Sequence, residues 1–280
     1  MIDLHLHTTA SDGALAPCDL VARAAGAGLS TISVTDHDTL AGLAEARAAA
    51  AARGITFIAG IEITAVEEGH DLHVLGYFVD PDSTALAEFL SAQRADRLRR
   101  VREICHRLGA LGIEISADAV IGHVSAYPTR SVGRPAIADA LVRAGHARDP
   151  EDAFTRLIGS GCPAYVPRCG VSAAEVVRII DCAGGLASLA HPVLAGVDHL
   201  IPSLAAGGLA ALEARHPDHP PEVEARYRAM ASRLGLAVSG GSDFHGAATA
   251  NGEALGRVTL PQDDFAALAS RLRHCSKSGD

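Results

Sequence analysis

Two short segments at opposite ends of the chain combine histidine with aspartate in an alternating pattern. Asp3, His5 and His7 alternate with apolar residues in the first segment, and Asp243 and His245 flank a phenylalanine in the second. Alternate side chains of an extended segment share one face, so each segment directs its polar groups to one side. Imidazole and carboxylate groups that converge are typical ligands of divalent metals. Two histidines at this spacing are a weak signal alone, so the evidence for a metal site depends on the sequence between the two segments.

Five intervening segments have the same chemistry, each in or beside an apolar, strand-like run. Any one of them is more often an ordinary polar residue at a strand end. Together they give six histidines and three carboxylates, nearly all at the ends of such runs, where ligands gather in α/β folds. Mixed imidazole and carboxylate ligands favour Mn²⁺, Fe²⁺ or Zn²⁺ over Ca²⁺. We therefore predict a multinuclear metal site with nine candidate ligands: His5, His7, Asp12, His37, Glu62, His73, His191, Asp243 and His245.

The elements that must position these residues alternate between strand and helix at both ends of the chain. The first part predicts strands at 2–6, 31–34 and 55–63, with helices from Pro17 and over 40–53. Helical patterns then dominate, at 83–108, 134–144 and 151–158. The alternation returns with helices at 173–182, 200–206, 221–234 and 263–273, and strands at 186–190, 209–213 and 236–239. This order predicts an α/β fold with a largely parallel sheet.

The same pattern predicts two units. We assign residues 1–80 and 166–280 to a metal-binding barrel, and residues 81–165 to a helical insertion that recognises substrate. About seven strands are compatible with an irregular (β/α) barrel, but periodicity alone does not separate it from an open doubly wound sheet.

The motifs, in this order, resemble those of the PHP (polymerase and histidinol phosphatase) family of metal-dependent phosphoesterases. The resemblance runs nearly from end to end and is greatest with the stand-alone branch of YciV/TrpH-like proteins and phosphatases of AMP and 3',5'-bisphosphonucleotides. It implies a distorted (β/α)7 PHP barrel with an inserted α-helical domain. It is carried by His5-Leu6-His7, Ser11-Asp12-Gly13, Thr35-Asp36-His37-Asp38, Gly60-Ile61-Glu62-Ile63, His73, His191-Pro192 and Ser242-Asp243-Phe244-His245.

The resemblance also implies how the ligands would be shared among two or three ions. The first ion is expected at His5, His7, Glu62 and Asp243. Glu62 would bridge to a second ion held by His73 and His191, and Asp12, His37 and His245 would hold the third, which we expect to bind most weakly. Two ions about 3.5–4 Å apart lower the pKa of a shared water, so the expected nucleophile is a metal-bridged hydroxide held by Glu62.

Other polar residues are predicted to support this chemistry. Asp3, Asp36 and Asp38 lie beside ligands and are expected to orient imidazoles, although Asp38 is equally suited to cap a helix. Arg97 and Arg100 share a helix face, which is a binding surface or simply a solvated basic face. Expected substrate-binding residues are Arg134, Arg97, Arg100, Arg168 and His216, of which His216 is also a candidate for proton transfer.

Composition restricts the partners and the compartment. The formal charge of −9 and the 4% aromatic content disfavour long nucleic acid as the main partner. Six cysteines without a Cys-x-x-Cys pair predict reduced, structural thiols. There is no leader-like segment and no apolar run long enough to cross a bilayer, so we expect no membrane partner and a cytoplasmic location. The oligomeric state is not predicted.

The function predicted from these features is hydrolysis of a phosphate monoester of a small nucleotide, either 5'-AMP-like or a 3',5'-bisphosphate. Two enzyme alternatives use the same site: a 5'→3' exonuclease on short 5'-phosphorylated RNA or DNA, and a histidinol phosphatase. A non-catalytic alternative is a metal-stabilised nucleotide-binding sensor. All nine candidate ligands are present, which favours an enzyme over a sensor.

Overall fold

A computed structural model describes residues 1–122, 131–247, 249 and 251–272 of the 280-residue chain. In these ranges seven strands form one sheet, and their order in the sheet follows their order in the sequence. The strands are β1 (Ile2–Asp3), β2 (Thr31–Val34), β3 (Thr56–Glu67), β4 (His70–Tyr77), β5 (Leu186–Leu189), β6 (Ala211–Arg215) and β7 (Ala237–Gly240).

One strand departs from the parallel arrangement that the alternating pattern predicts. Strands β1 to β3 are parallel to one another, as are β5 to β7, whereas β4 is antiparallel to both of its neighbours. The two residues between β3 and β4, Glu68 and Gly69, have φ of 51° and 82°. Left-handed residues of this kind make a tight hairpin whose twist matches that of the strands. A helical crossover is therefore missing at this point, and β4 returns directly along β3.

The sheet closes on itself almost completely, where the first strand meets the segment after β7. The backbone N–H of Leu4 donates to Gly240 at 3.2 Å, and that of His7 donates to Phe244 at 3.0 Å. The approach is close enough that a Cβ on Gly241 would lie 2.4 Å from the backbone nitrogen of His5, so glycine is required there. The predicted fold class, a distorted barrel of seven strands, is confirmed.

Helices cover the outside of the barrel and fill the stretch between β4 and β5. Two of them, α7 and α10, have the predicted bounds, while the predicted end of the last helix at Arg273 lies outside the described residues. The helices are α1 (Pro17–Gly26), α2 (Leu43–Ala51), α3 (Thr84–Ala110), α4 (Ala117–Gly122), α5 (Arg134–Arg143), α6 (Pro150–Ala153, continued as a π-helical turn over Phe154–Ile158), α7 (Ala173–Cys182), α8 (Pro192–Ala195), α9 (Ile201–Ala206, after a 3₁₀ turn over Asp198–Leu200), α10 (Pro221–Leu234) and α11 (Gln262–Ala269).

The apolar core is divided. The largest cluster packs the strands against α1, α2, α7 and α10, with Ile32, Ile61 and Tyr227 fully buried. A separate cluster joins α3, α4, α5 and α6 to the segment before α7, and includes Ile104 and Leu141. Helices that bury their faces mainly against one another are expected of an inserted unit. The boundaries at residues 81 and 165 remain a prediction.

Two features of the described residues concern membrane crossing and the state of the cysteines. No described helix combines the length and the hydropathy needed to cross a membrane. Five of the six cysteines lie in the described ranges and are free thiols. The sixth, Cys275, lies outside the described residues.

Candidate metal centre

Glu62 is the hub of a group of imidazoles at one end of the barrel. Its side chain is 1% exposed, and it projects from the middle of β3. Both oxygens face histidine nitrogens, five in all, that come from four other segments of the chain. Oε2 lies 3.2 Å from each of His5 Nε2, His7 Nε2 and His37 Nδ1, and Oε1 lies 2.9 Å from His73 Nδ1 and 3.2 Å from His191 Nε2.

Two aspartates lie beside the imidazoles of this hub. Asp243 Oδ1 lies 3.3 Å from both His5 Nε2 and His7 Nε2. Asp12 has its two oxygens 3.4 Å from His245 Nε2 and 3.7 Å from His37 Nε2. All nine predicted ligands are therefore brought into one group, although they come from points as distant as residues 5 and 245. We call these nine residues the metal centre.

Local backbone geometry explains how the chain presents several of these side chains. Asp243 and His191 follow the last residues of β7 and β5, and their φ values are 48° and 24°. Positive φ is costly for residues with a Cβ and is maintained at functional sites by the surrounding structure. Glu62 and His73 are different, because they lie inside the β3–β4 hairpin rather than at strand ends. The hairpin thus contributes both side chains to the centre.

The donor atoms fit divalent cations. His7 Nε2, His37 Nδ1 and His73 Nδ1 are buried nitrogens that point at Glu62 and find no hydrogen-bond partner within the described part of the chain. Buried polar atoms are normally paired, so several unpaired imidazole nitrogens around one carboxylate require a ligand. Imidazole and carboxylate together suit Mn²⁺, Fe²⁺ or Zn²⁺. The residues fit metal ions, and Glu62 has an oxygen for each of two.

The electrostatics of the centre favour positive charge. Burial alone would raise the pKa of Glu62, but the imidazoles of His37, His73 and His5 hold it well below its usual range. Burial lowers the pKa of His37 to about 3, so this ring is neutral at neutral pH and keeps a lone pair free. Burial opposes protonation of His7, yet the carboxylates of Asp243 and Glu62, which lie 3.3 and 3.2 Å from its Nε2, raise its pKa to about 10. Protons and metal cations therefore compete for the same carboxylates.

The sets of residues whose ligand atoms lie within 4.8 Å of one another differ in part from the division among ions that the family resemblance implies. Asp12, His37 and His245 stay together, but His7 joins them. His73 groups with Glu62 and His37, and His191 groups with Glu62 and His5. Both rings nevertheless face Oε1 of Glu62, at 2.9 and 3.2 Å, so the two imidazoles predicted to share one ion lie beside the same oxygen. The structure brings the nine predicted ligands together, whereas the assignment of each ligand to a particular ion stays a prediction.

Two of the carboxylates expected to orient imidazoles hold backbone instead. Asp3 Oδ1 accepts hydrogen bonds from the backbone N–H of His5 at 3.2 Å and of Ser242 at 2.9 Å. Asp36 Oδ1 accepts the backbone N–H of Thr8 at 2.7 Å, and the hydroxyl groups of Thr8 and Ser11 also donate to Asp36, at 2.7 Å and 2.6 Å. These contacts fix the segments that carry the ligands. Among the described residues neither carboxylate accepts a hydrogen bond from an imidazole, so the prediction that Asp3 and Asp36 orient ligand rings is not met by a contact to a ring.

Glu213 has the imidazole-orienting role, and sequence analysis did not assign it. It is fully buried, its Oε1 lies 2.9 Å from His5 Nδ1, and its Oε2 accepts the backbone N–H of His191 at 2.7 Å. A carboxylate behind a ligand imidazole fixes the ring and increases its basicity. The signal available in the sequence was a lone acid inside the apolar run that forms β6.

Within the described part of the chain, Asp38 neither contacts an imidazole nor caps a helix, because it pairs with arginines. Arg97 Nε donates to Asp38 Oδ2 at 2.7 Å, Arg97 Nη2 also contacts that oxygen, and Arg168 Nη1 donates to it at 3.3 Å. Helix α2 begins only after Gly42. Burial would raise the pKa of Asp38, but the two guanidinium groups lower it. Both roles predicted for Asp38 are therefore wrong.

A second carboxylate, Asp71, collects the remaining predicted arginines. Arg134 Nη2 donates to Asp71 Oδ2 at 3.2 Å, and Arg100 Nη1 and Arg168 Nε lie 3.8 and 3.7 Å from its oxygens. Arg100 also donates from Nε to the carbonyl of Val166 at 2.7 Å. We call Arg97, Arg100, Arg134 and Arg168, together with Asp38 and Asp71, the arginine cluster.

The arginine cluster adjoins the metal centre and retains positive charge. Asp71 and His73 are two residues apart in β4, so their side chains share a face. Four guanidinium groups face two carboxylates, which leaves an excess of two positive charges. Arg100 Nη2 and Arg168 Nε are buried donors that lack a hydrogen-bond partner in the described ranges. Unpaired guanidinium donors suit a phosphate group.

His216 also lies in the centre, which the sequence indicated only loosely. Its side chain is fully buried and its Nε2 lies 3.4 Å from Asp243 Oδ2. His5, His216 and Asp243 offer atoms within 4.8 Å of one another. Its place is thus beside a candidate ligand rather than on the arginine side, where the predicted substrate contacts lie.

Comparison with known proteins agrees with this geometry. The model of the PHP domain family matches residues 3–144. The chain is 36% identical to the 3',5'-nucleoside bisphosphate phosphatase of Chromobacterium violaceum, over 87% of each protein. It is 34% identical to the 5'-3' exoribonuclease Rnm of Escherichia coli, over 87% of this chain and 84% of that one.

A solved structure extends the likeness to nearly the whole chain. A Bifidobacterium adolescentis protein, predicted to be a metal-dependent phosphoesterase, superposes with a TM-score of 0.89 and 35% identity. The alignment covers 98% of this chain and 97% of that one. The two relatives named above are hydrolases acting on phosphoester bonds, as was predicted for this chain. This chain folds into a seven-stranded barrel with an acid–histidine centre and is matched along its length by these relatives. It therefore belongs to the PHP domain family.

Proposed function

We propose that this chain hydrolyses a phosphate monoester of a small nucleotide, with two or three divalent metal ions held by the metal centre. The observation that carries the proposal is the ring of five imidazoles around Glu62, each with a nitrogen within 3.2 Å of a carboxylate oxygen. Bound ions would lower the pKa of a coordinated water and neutralise phosphoryl oxygens. Mn²⁺, Fe²⁺ and Zn²⁺ are the candidates.

The chain's own residues would position the ions and the ester. Glu62 presents one oxygen to His5, His7 and His37 and the other to His73 and His191, and Asp243 and Asp12 add further carboxylate oxygens beside these rings. Glu213 holds the ring of His5 so that its Nε2 faces inward. Glu62, Glu213 and His5 are buried, so bulk water is restricted at the inner side of the centre, and electrostatic contacts with a bound phosphate are strengthened there.

The arginine cluster would bind a second, non-reacting phosphate. Arg134 and Asp71 have side chains 22% exposed, and His73 of the metal centre is 25% exposed, so this face is open to a ligand. A substrate with two phosphate groups would place one at the metal centre and one at the excess charge of the cluster. Among the two predicted substrate types, we therefore favour 3',5'-bisphosphate nucleosides over 5'-AMP. The name of the C. violaceum relative supports the same choice.

A phosphate-release assay tests the proposal. The purified chain is stripped of metal, reloaded with Mn²⁺ and given a 3',5'-bisphosphate nucleoside, AMP and histidinol phosphate at matched concentrations. We expect metal-dependent release that is fastest from the bisphosphate. If no monoester releases phosphate in a metal-dependent manner, the proposal is wrong. Elemental analysis of the same sample measures the metal bound per chain and identifies it.

One alternative is favoured by a specific observation, the 34% identity to a protein named a 5'-3' exoribonuclease. That activity would use the same metals on a phosphodiester of a short strand. The test adds a 5'-phosphorylated oligoribonucleotide to the panel. Faster cleavage of the oligonucleotide than of the bisphosphate would favour the exonuclease. The net charge of −9 leads us to expect the opposite.

A further inference from the structure

The two ring nitrogens of His216 have partners that determine where its proton lies. Its Nδ1 accepts a hydrogen bond from the backbone N–H of Asp218 at 3.1 Å. A ring nitrogen that accepts a hydrogen bond carries no proton, so the neutral ring must carry its proton on Nε2. That nitrogen faces Asp243 Oδ2 at 3.4 Å. His216 is thus arranged as a hydrogen-bond donor to Asp243.

Two ligands of the metal centre have the opposite arrangement. His5 Nδ1 lies 2.9 Å from Glu213 Oε1, and His245 Nδ1 lies 3.0 Å from the carbonyl of Asp243. Both partners only accept hydrogen bonds, so the protons of these rings lie on Nδ1 and the Nε2 lone pairs are free. Ligand histidines in metal proteins are oriented in this way. Proximity alone would admit His216 as a ligand, but its hydrogen bonds assign it elsewhere.

The carboxylate of Asp243 shows the same division between its two oxygens. Oδ2 faces two donors, His216 Nε2 at 3.4 Å and Asn251 Nδ2 at 3.3 Å. Oδ1 instead faces the nitrogens of His5 and His7. The φ of 48° at Asp243 is unfavourable for a residue with a Cβ, so contacts with neighbours must maintain this conformation.

We infer that His216 is a positioning residue and not a metal ligand. Together with Asn251 it holds Asp243 Oδ2, so that Oδ1 alone is presented to a cation. The inference rests on the proposed metal centre and adds one specific role to it. It explains why His216 lies buried beside the centre with a proton on Nε2, the nitrogen that faces Asp243.

The tautomer can be observed directly. Protein with ¹⁵N-labelled histidine is studied by long-range ¹H–¹⁵N correlation, first without metal and then loaded with Zn²⁺. We expect a protonated Nε2 for His216 in both states, and zinc-induced shifts at Nε2 of His5 and His245. Loss of the His216 Nε2 proton on zinc loading would show that it is a ligand and overturn the inference. If no histidine responds to zinc, the metal centre itself is wrong, and the two failures are thereby distinguished.

Two variants provide an independent measurement. His216→Ala removes the donor, and we expect metal affinity to fall about 10–100-fold. His216→Gln keeps an N–H donor in a side chain that is a poor ligand for these metals, so it should retain the metal count and lose less than about tenfold in affinity. His5→Gln, a ligand variant, should lose metal outright. The exposed His199→Gln serves as the matched control. If His216→Gln loses a metal ion as His5→Gln does, His216 is a ligand and the inference is overturned.

Discussion

The metal centre and the arginine cluster are neighbours built on different principles. The metal centre gathers short imidazole and carboxylate side chains from strands and strand ends around the whole barrel, with Glu62 at its middle. The arginine cluster uses long side chains from the helical region and the segment after it, paired with two acids of the barrel. Short side chains on a closed sheet have few rotamers to lose, whereas guanidinium groups must be held by ion pairs.

This difference suggests that the metal centre and the arginine cluster have separate functions. A closed barrel fixes the spacing of ligand atoms, which metal chemistry requires. Three of the four arginines lie on α3 and α5, helices that contribute to a separate apolar cluster, and not on the strands of the barrel. We therefore expect substitutions in the metal centre to abolish metal binding and turnover. Substitutions in the arginine cluster should affect substrate binding or stability.

The largest effect is expected from Glu62→Gln. The amide keeps the volume but lacks the charge that five imidazole nitrogens face, so kcat should fall by more than about 10²-fold and bound metal should be lost. Elemental analysis and initial rates measure both. The exposed Glu68→Gln is the matched control. Normal metal content in Glu62→Gln would show that Glu62 is not the hub.

Arg97→Ala should reduce stability more than any single change to the exposed surface. It leaves the buried carboxylate of Asp38 with Arg168 as its remaining arginine partner, and breaking a buried pair costs about 3 kcal/mol. Urea denaturation measures the free energy of unfolding, with the half-exposed Arg94→Ala as the control on the same helix. Adding Asp38→Asn should recover part of the loss. A loss equal to that of Arg94→Ala would indicate that the pair contributes little.

Glu213→Gln should weaken metal binding without removing a ligand. The amide cannot restore the charge behind His5 Nδ1, and we expect the dissociation constant for Mn²⁺ to rise about 10–100-fold. Titration of metal-free protein provides the measurement, with the exposed Glu253→Gln as the control. An unchanged constant would mean that Glu213 only supports the fold.

Arg134→Ala should give the smallest change, restricted to substrate binding. If its guanidinium contacts a non-reacting phosphate, KM for the bisphosphate should rise about tenfold, the equivalent of one charge-assisted hydrogen bond, while kcat stays the same. KM for AMP should change less. The exposed Arg178→Ala is the control. Equal effects on both substrates would remove the assignment of the second phosphate to the arginine cluster.

Much of the fold could be predicted because it depends on local pattern. The bounds of α7 and α10 follow from their amphipathic spacing and, for α10, from Pro221 at its start and Gly235 at its end. The reversal of β4 could not be predicted from periodicity, since an apolar alternating run has the same pattern in either direction. Only the left-handed turn at Glu68 and Gly69 marks it locally.

The residues of the metal centre were identifiable for a different reason. Histidine and acid beside apolar strands are chemically conspicuous, as His191 and Asp243 illustrate, wherever they lie in the chain. Glu213, Asn251 and Asp71 lack that context, because their importance depends on which side chains the fold brings to them. Asp38 shows the converse, since its position beside His37 suggested one partner and the fold supplied Arg97.

The sequence by itself determined the kind of chemistry, because residue type fixes which atoms can bind a cation or a phosphate. It also determined the order of strands and helices, through patterns a few residues long. Only the tertiary structure decided how those atoms are paired: Glu62 as the common neighbour of five imidazoles, Glu213 behind His5, and a proton on Nε2 of His216. Pairing depends on distances between segments remote in the chain, and those distances exist only once the barrel has closed.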